Sequence, residues 1–159
     1  MTRGLGRGAQ VRRGLAVGAV AAVLGGSLLT GCSSDPFEAY CERVDEHQEA
    51  LTEAVAGGGP DALLSVLPQL RDLRDAAPGD VVDEWQQVVG RLEALEDALE
   101  SAGVDAASYD REDPPADLAE DDRTAIDAAA RELVRPQTAQ ALAVLETQVR
   151  DVCQTPLYL

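Results

Sequence analysis

Residues 80–103 read DVVDEWQQVVGRLEALEDALESAG. Within them Val81, Trp85, Val88, Leu92, Leu95 and Leu99 step by 4, 3, 4, 3 and 4, a heptad-like spacing that gathers apolar side chains on one side of a helix. Val82, Val89 and Ala98 widen the stripe to that of a helix packed among several others. Glu93, Glu96, Asp97 and Glu100 take the remaining faces. Asp80 stands where an N-cap belongs, since a short side-chain oxygen can accept a bond from a free backbone N–H there. Gly103 stands where helices end in a left-handed residue. The stretch predicts an all-α protein with Trp85 in its core.

Downstream, residues 104–119 lose the period and read as a loop with at most one short turn of helix. A helix follows from about Glu120 to Val134, with Ile126, Ala129, Ala130 and Leu133 inward. Pro136 opens the last helix, in which Leu142, Leu145, Val149 and Val152 step by 3, 4 and 3 towards Cys153. The apolar end Leu157-Tyr158-Leu159 is expected to fold back on the bundle.

Upstream, Asp35, Pro36 and Glu38 are a helix start: a cap, a first-turn proline and a capping-box acid. Phe37, Tyr40, Cys41, Val44, Leu51 and Val55 form one face, interrupted by His47 and Gln48, and Gly57-Gly58-Gly59 ends it. A second helix begins at Pro60 and carries Leu63, Leu64, Leu67, Leu70 and Leu73. Pro68 should kink or split it, because proline removes a helix N–H and its ring crowds the preceding turn. Ala77-Pro78-Gly79 is its stop. No alternating strand pattern competes and no internal repeat is present. The expected class is a small four- to five-helix bundle, the acidic α-helical domain 36–159.

All 29 acids lie beyond residue 31, against nine arginines and no lysine, so residues 32–159 carry a net charge of −20. Such a surface repels nucleic acid and anionic headgroups. High charge can signal disorder, but the regular apolar spacing argues for a folded chain.

Ahead of the domain, Leu29-Thr30-Gly31-Cys32 follows an apolar run from Gly14 to Leu29, itself preceded by Arg3, Arg7, Arg12 and Arg13 without an acid. The run is short and Gly-rich for a membrane span, which needs ~20 mostly apolar residues, and has the charged start, apolar middle and small-residue exit of a signal peptide. The four residues resemble the lipobox of bacterial lipoproteins: apolar, small, Gly or Ala, then Cys. The resemblance implies that residues 1–31 are a cleaved signal peptide, that Cys32 is acylated, and that 32–35 is a tether on the extracytoplasmic face of the cell membrane. Arg12-Arg13 and Leu15 also fit a twin-arginine signal. The rest of that motif is missing, so the general secretory route is favoured and both stay open.

With Cys32 assigned to lipid, Cys41 and Cys153 remain, in a compartment where disulfides persist. They can pair in one way, across 112 residues. Pairing requires Cα atoms within roughly 7 Å, and so an antiparallel first and last helix if these pack side by side. The alternative is two free thiols or a metal pair, for which no His or Cys stands nearby. The early Cys41 and the ending Arg150-Asp151-Val152-Cys153 also resemble a broad group of actinobacterial secreted or lipid-anchored helical proteins. That resemblance implies no activity.

The chemical inventory is thin. His47, the one histidine, lacks the second His of a helical zinc motif and reads as a surface or boundary residue. A Ser or Thr nucleophile paired with His47 has no supporting motif. Two carboxylates could run glycoside hydrolysis, but among 29 acids some pair is always close. The acidic segment 110–122 lacks the alternating acids and the Gly of a calcium loop, and no phosphate-binding loop exists. No metal and no cofactor is expected.

Two functional classes follow. The first is a non-enzymatic, lipid-anchored binding or structural module at the cell envelope; the second is a small envelope hydrolase using paired carboxylates. A soluble partner would dock on Asp110, Glu112, Asp113, Asp117, Glu120, Asp121 and Asp122, held extended by Pro114-Pro115. It would be basic if charge drives the encounter. A solvated loop with no partner is the plainer reading of the same residues.

Overall fold

The computed structural model describes residues 36–58 and 61–159, which belong to one compact unit, Ser33–Leu159. Residues 1–35, with the proposed signal peptide, lipobox, Cys32 and the Asp35 cap, lie outside the described residues, as do Gly59 and Pro60. Six helices follow in order: α1 Pro36–Gly57, α2 Ala62–Ser65, α3 Leu67–Asp75, α4 Val82–Ser101, α5 Glu120–Leu133 and α6 Pro136–Cys153. Among the described residues all regular structure is helical, as the apolar period predicts.

The five expected helices become six because the second one splits at Pro68. Val66 leaves helical geometry between α2 and α3, and Pro68 falls in the first turn of α3, where a missing N–H costs nothing. The break lets Val66, Leu67, Leu70 and Leu73 all turn inward. Leu63 does not follow them and stays exposed, since the four-residue α2 is too short to carry the α3 face back to it. Phe37 and Val55, expected inward on α1, are also exposed near its two ends, where less of the bundle covers the helix.

α4 is the hub and packs against α3, α5 and α6, while α1 packs on α2, α3 and α6. Trp85 is fully buried on α4 and forms an edge-to-face pair with Tyr40 of α1, ring centroids 6.5 Å apart. Trp85 Nε1–H donates to Tyr40 Oη at 2.9 Å, so the pair buries two large rings without stranding the indole proton. Burial pushes the Tyr40 phenol up to about 12. Around this pair lie Val44 and Leu51 of α1, Val88, Val89 and Leu92 of α4, and Ala141, Leu145 and Val149 of α6. Each fully buried aliphatic side chain contributes roughly 1.5–3 kcal/mol relative to exposure.

The end of α4 is as expected. Gly103 takes φ +66°, its N–H bonds Glu100 O and the Val104 N–H bonds Leu99 O, which closes the last turn in a Schellman motif. The start is not. Asp80 does not cap α4; Val81 is the N-cap residue and no side chain caps it. The Val81 N–H is drawn into a turn with Pro78 O at 3.1 Å, and that turn leaves Asp80 exposed.

Cys41 and Cys153 form a disulfide with Cα atoms 5.2 Å apart, joining the beginning of α1 to the end of α6. Gln154 then turns the chain in the left-handed region, φ 58°. The tail runs back along α1: Gln48 donates to Thr155 and Pro156, and Leu159 N–H reaches Thr52 Oγ1 at 2.9 Å. Leu157 is buried, as the apolar tail predicts, and Tyr158 donates to Glu146.

A charged clasp joins α3 to α4. Arg71 donates to Glu93 at 3.0 Å and to Glu96 at 2.6 Å, and Arg74 donates to Glu93 at 2.9 Å. Arg71, with Arg74 beside it, holds the Glu93 carboxyl below its ordinary value of 4.5. A carboxylate stabilised in the folded state contributes above its unfolded pKa, and the contribution disappears as pH falls through the folded one. Glu93→Gln should therefore melt below the parent chain at pH 7, and the gap should close as pH is lowered from about 4.5. Thermal scans of both proteins across pH 7 to 2.5 check this; a gap independent of pH would assign the loss to packing.

Candidate functional site

The acidic segment is less extended than its two prolines predict. Just ahead of it Asp105 folds the loop into a turn: its side chain accepts the Ala107 N–H at 2.8 Å and its carbonyl the Ser108 N–H at 3.2 Å. Asp110 Oδ1 accepts the Glu112 N–H at 2.7 Å, a second local turn. Pro115 does not prolong an extended strand, because its carbonyl closes a further turn onto the Leu118 N–H at 3.0 Å. Asp110, Glu112, Asp113 and Asp117 are exposed on these turns.

Glu120, Asp121 and Asp122 form the first turn of α5. Carboxylates there offset the positive end of the helix dipole, so three of the seven acids have a structural role. The structure thus separates the segment into a looped acidic half and a helical acidic half. Arg111 anchors the looped half by an ion pair with Asp127 of α5, 2.7 Å.

Beneath this anchored turn lies a cavity of about 480 Å³. Its walls come from α2 (Leu64), α4 (Leu95, Leu99), α5 (Ile126, Ala130) and the loop (Ala106 to Arg111). Leu95 belongs to the α4 seam, yet it is only half-buried, because it faces this space rather than the main core. Leu99 and Ile126 are buried but stand outside the main core cluster. Tyr109 lines the cavity, and its hydroxyl, out of solvent, has no hydrogen-bond partner. Sequence reading passed over Tyr109. The available signal was an aromatic residue set in an acidic, proline-containing loop, in a chain with three tyrosines in all.

His47 is a boundary residue with a partner. Its Nε2 lies 2.8 Å from Asp72 Oδ2 across the α1–α3 contact. The His47 hydrogen bond, with Arg43 nearby, holds the Asp72 carboxyl below its ordinary range, so the carboxylate is the acceptor and Nε2 carries the proton. Glu46, His47 and Asp72 could offer three ligand atoms to a cation. Arg43 already engages two of the three: its guanidinium bonds Glu46 at 2.7 Å and lies 3.5 Å from Asp72. The charge a metal would supply is present as arginine.

Of the other residues singled out from sequence, Cys41 and Cys153 are joined in the disulfide, and Cys32 lies outside the described residues. Comparison with known proteins finds no matching family model, no matching curated protein and no matching solved structure.

Proposed function

We propose that this chain is a lipid-anchored extracytoplasmic lipoprotein, serving as a non-enzymatic binding or structural module at the cell envelope. The observation that carries the reading is Leu29-Thr30-Gly31-Cys32 behind an arginine-only start and an apolar run. A stapled helical bundle suits that compartment, where a disulfide persists. Among the described residues no helix is long and apolar enough to cross a membrane, and the attachment proposed is an acyl group on Cys32. The carboxyls of Asp72 and Glu93 are held below their ordinary range by cationic and hydrogen-bonding neighbours. A general acid needs the opposite displacement, so these two give the hydrolase alternative no support. A charge-driven partner would be basic, would meet Asp110, Glu112, Asp113 and Asp117 on the exposed turns, and would associate more slowly in salt.

The test is Cys32→Ala in a bacterial host that processes lipoproteins. The parent chain is expected to mature, incorporate labelled fatty acid and fractionate with membrane. The variant is expected to stay full-length and unlabelled. A variant that still matures and remains membrane-bound would overturn the reading.

A further inference from the structure

We propose that the cavity under the 106–111 turn is a binding site for a neutral, apolar small molecule that carries one hydrogen-bond acceptor. This deepens the binding-module reading by naming a ligand class, and it does not depend on lipid at Cys32. The volume, about 480 Å³, falls in the range of ~300–1,000 Å³ in which proteins hold small ligands. The space lies beside Leu95, Leu99 and Ile126, apolar side chains of α4 and α5 that stand apart from the main core. Three helices form its fixed walls, and the Arg111–Asp127 ion pair holds the covering turn to α5.

The polarity of the ligand follows from the few polar groups present. Apolar walls hold water poorly, which favours an apolar body. Tyr109 adds a hydroxyl that has lost solvent and found no partner. A buried hydroxyl of this kind is a donor in want of an acceptor, and since it shows almost no surface to the open space, a ketone, ester or ether oxygen meets it by displacing the side chains that cover it. Charge excludes the anionic members of that class. Asp110 and Asp127 stand at the cavity, and the one guanidinium there, Arg111, is bound to Asp127.

The test uses the purified full-length chain and 6-propionyl-2-dimethylaminonaphthalene, a neutral fluorophore with one ketone whose emission moves to the blue in apolar surroundings. Saturable one-to-one binding with a blue shift is expected. Ala130→Phe fills the space from α5, and Ala107→Leu narrows it from the loop. Each should weaken binding at least about tenfold. Tyr109→Phe keeps the ring and removes the donor, and should weaken binding about fivefold. It should not change the affinity for 2-dimethylaminonaphthalene, which lacks the ketone. Far-UV circular dichroism of each variant establishes that the helices are intact. Absence of saturable binding to the parent chain overturns this ligand class, whereas the envelope reading is judged separately by processing at Cys32. Unchanged affinity in both filled variants overturns the site. Unchanged affinity in Tyr109→Phe, with loss in the filled variants, overturns the hydrogen bond and the acceptor requirement.

Discussion

Replacing Cys41 and Cys153 together by Ala is expected to lower the free energy of unfolding by about 3–5 kcal/mol. The bond closes a loop of sequence separation 112, and cross-linking so distant a pair removes much freedom from the unfolded chain. In the chain-entropy treatment a loop near 100 residues is worth about 4.7 kcal/mol, and measured values usually fall short of that. A domain of this size has a total stability of only about 5–15 kcal/mol, so the double variant should be marginal at growth temperature. Both cysteines are changed at once to avoid a leftover thiol that could pair between molecules. Urea denaturation should show a lower midpoint, and the parent chain under a strong reductant should show the same displacement. Coincident midpoints for oxidised, reduced and substituted chains would mean that the crosslink constrains nothing the helices do not already hold.

Trp85→Ala should cost about 3–5 kcal/mol. The indole is fully buried on the hub helix, and its removal opens a void next to Tyr40, Val88 and Val89, which packed helices cannot fully close. It also leaves the Tyr40 hydroxyl without the donor it faces. Tyr40→Phe isolates the second effect. The ring stays, the indole N–H loses its acceptor in a dry site, and about 1–3 kcal/mol should be lost. Helix content followed by far-UV circular dichroism is the readout for Trp85→Ala, because Trp85 is the sole tryptophan and its emission goes with it. A Trp85→Ala loss no larger than that of Tyr40→Phe would show that the hydrogen bond, and not the ring, holds α1 to α4.

Local chemistry was legible in the sequence wherever one element settles its own fate. The seam on α4, the break at Pro68, the closing Gly103 and the start of α6 at Pro136 each depend on a few neighbouring residues, and each stands where the residues put it. The cysteine pair was legible because parity left one connectivity. Misreadings arose where a distant or competing partner decides. Asp80 satisfied the cap pattern, but the turn closed by Pro78 leaves Val81 outside helical geometry at φ −132°, so the helix starts one residue later than that pattern requires. Leu95 fits the seam by period, and only the approach of α5 and the loop leaves it at an unfilled space. Tyr40 and Trp85 are 45 residues apart, and nothing in either segment announces the bond between them. The cavity is a negative feature, a lack of side-chain volume between three helices and a loop, and no single stretch encodes it.

The crosslink also has a mechanical meaning. A pull applied between residue 36 and residue 159 reaches Cys41 after five residues and leaves through Cys153, six residues from the end. The covalent bridge carries that tension, and the helices between the cysteines are not in the load path. Such a pull can lengthen the oxidised molecule by at most about 40 Å, the reach of those two short ends, against roughly 400 Å for the reduced chain. In a force spectrometer the oxidised form should behave as a short, nearly inextensible link, and a reductant should convert it into a long spring.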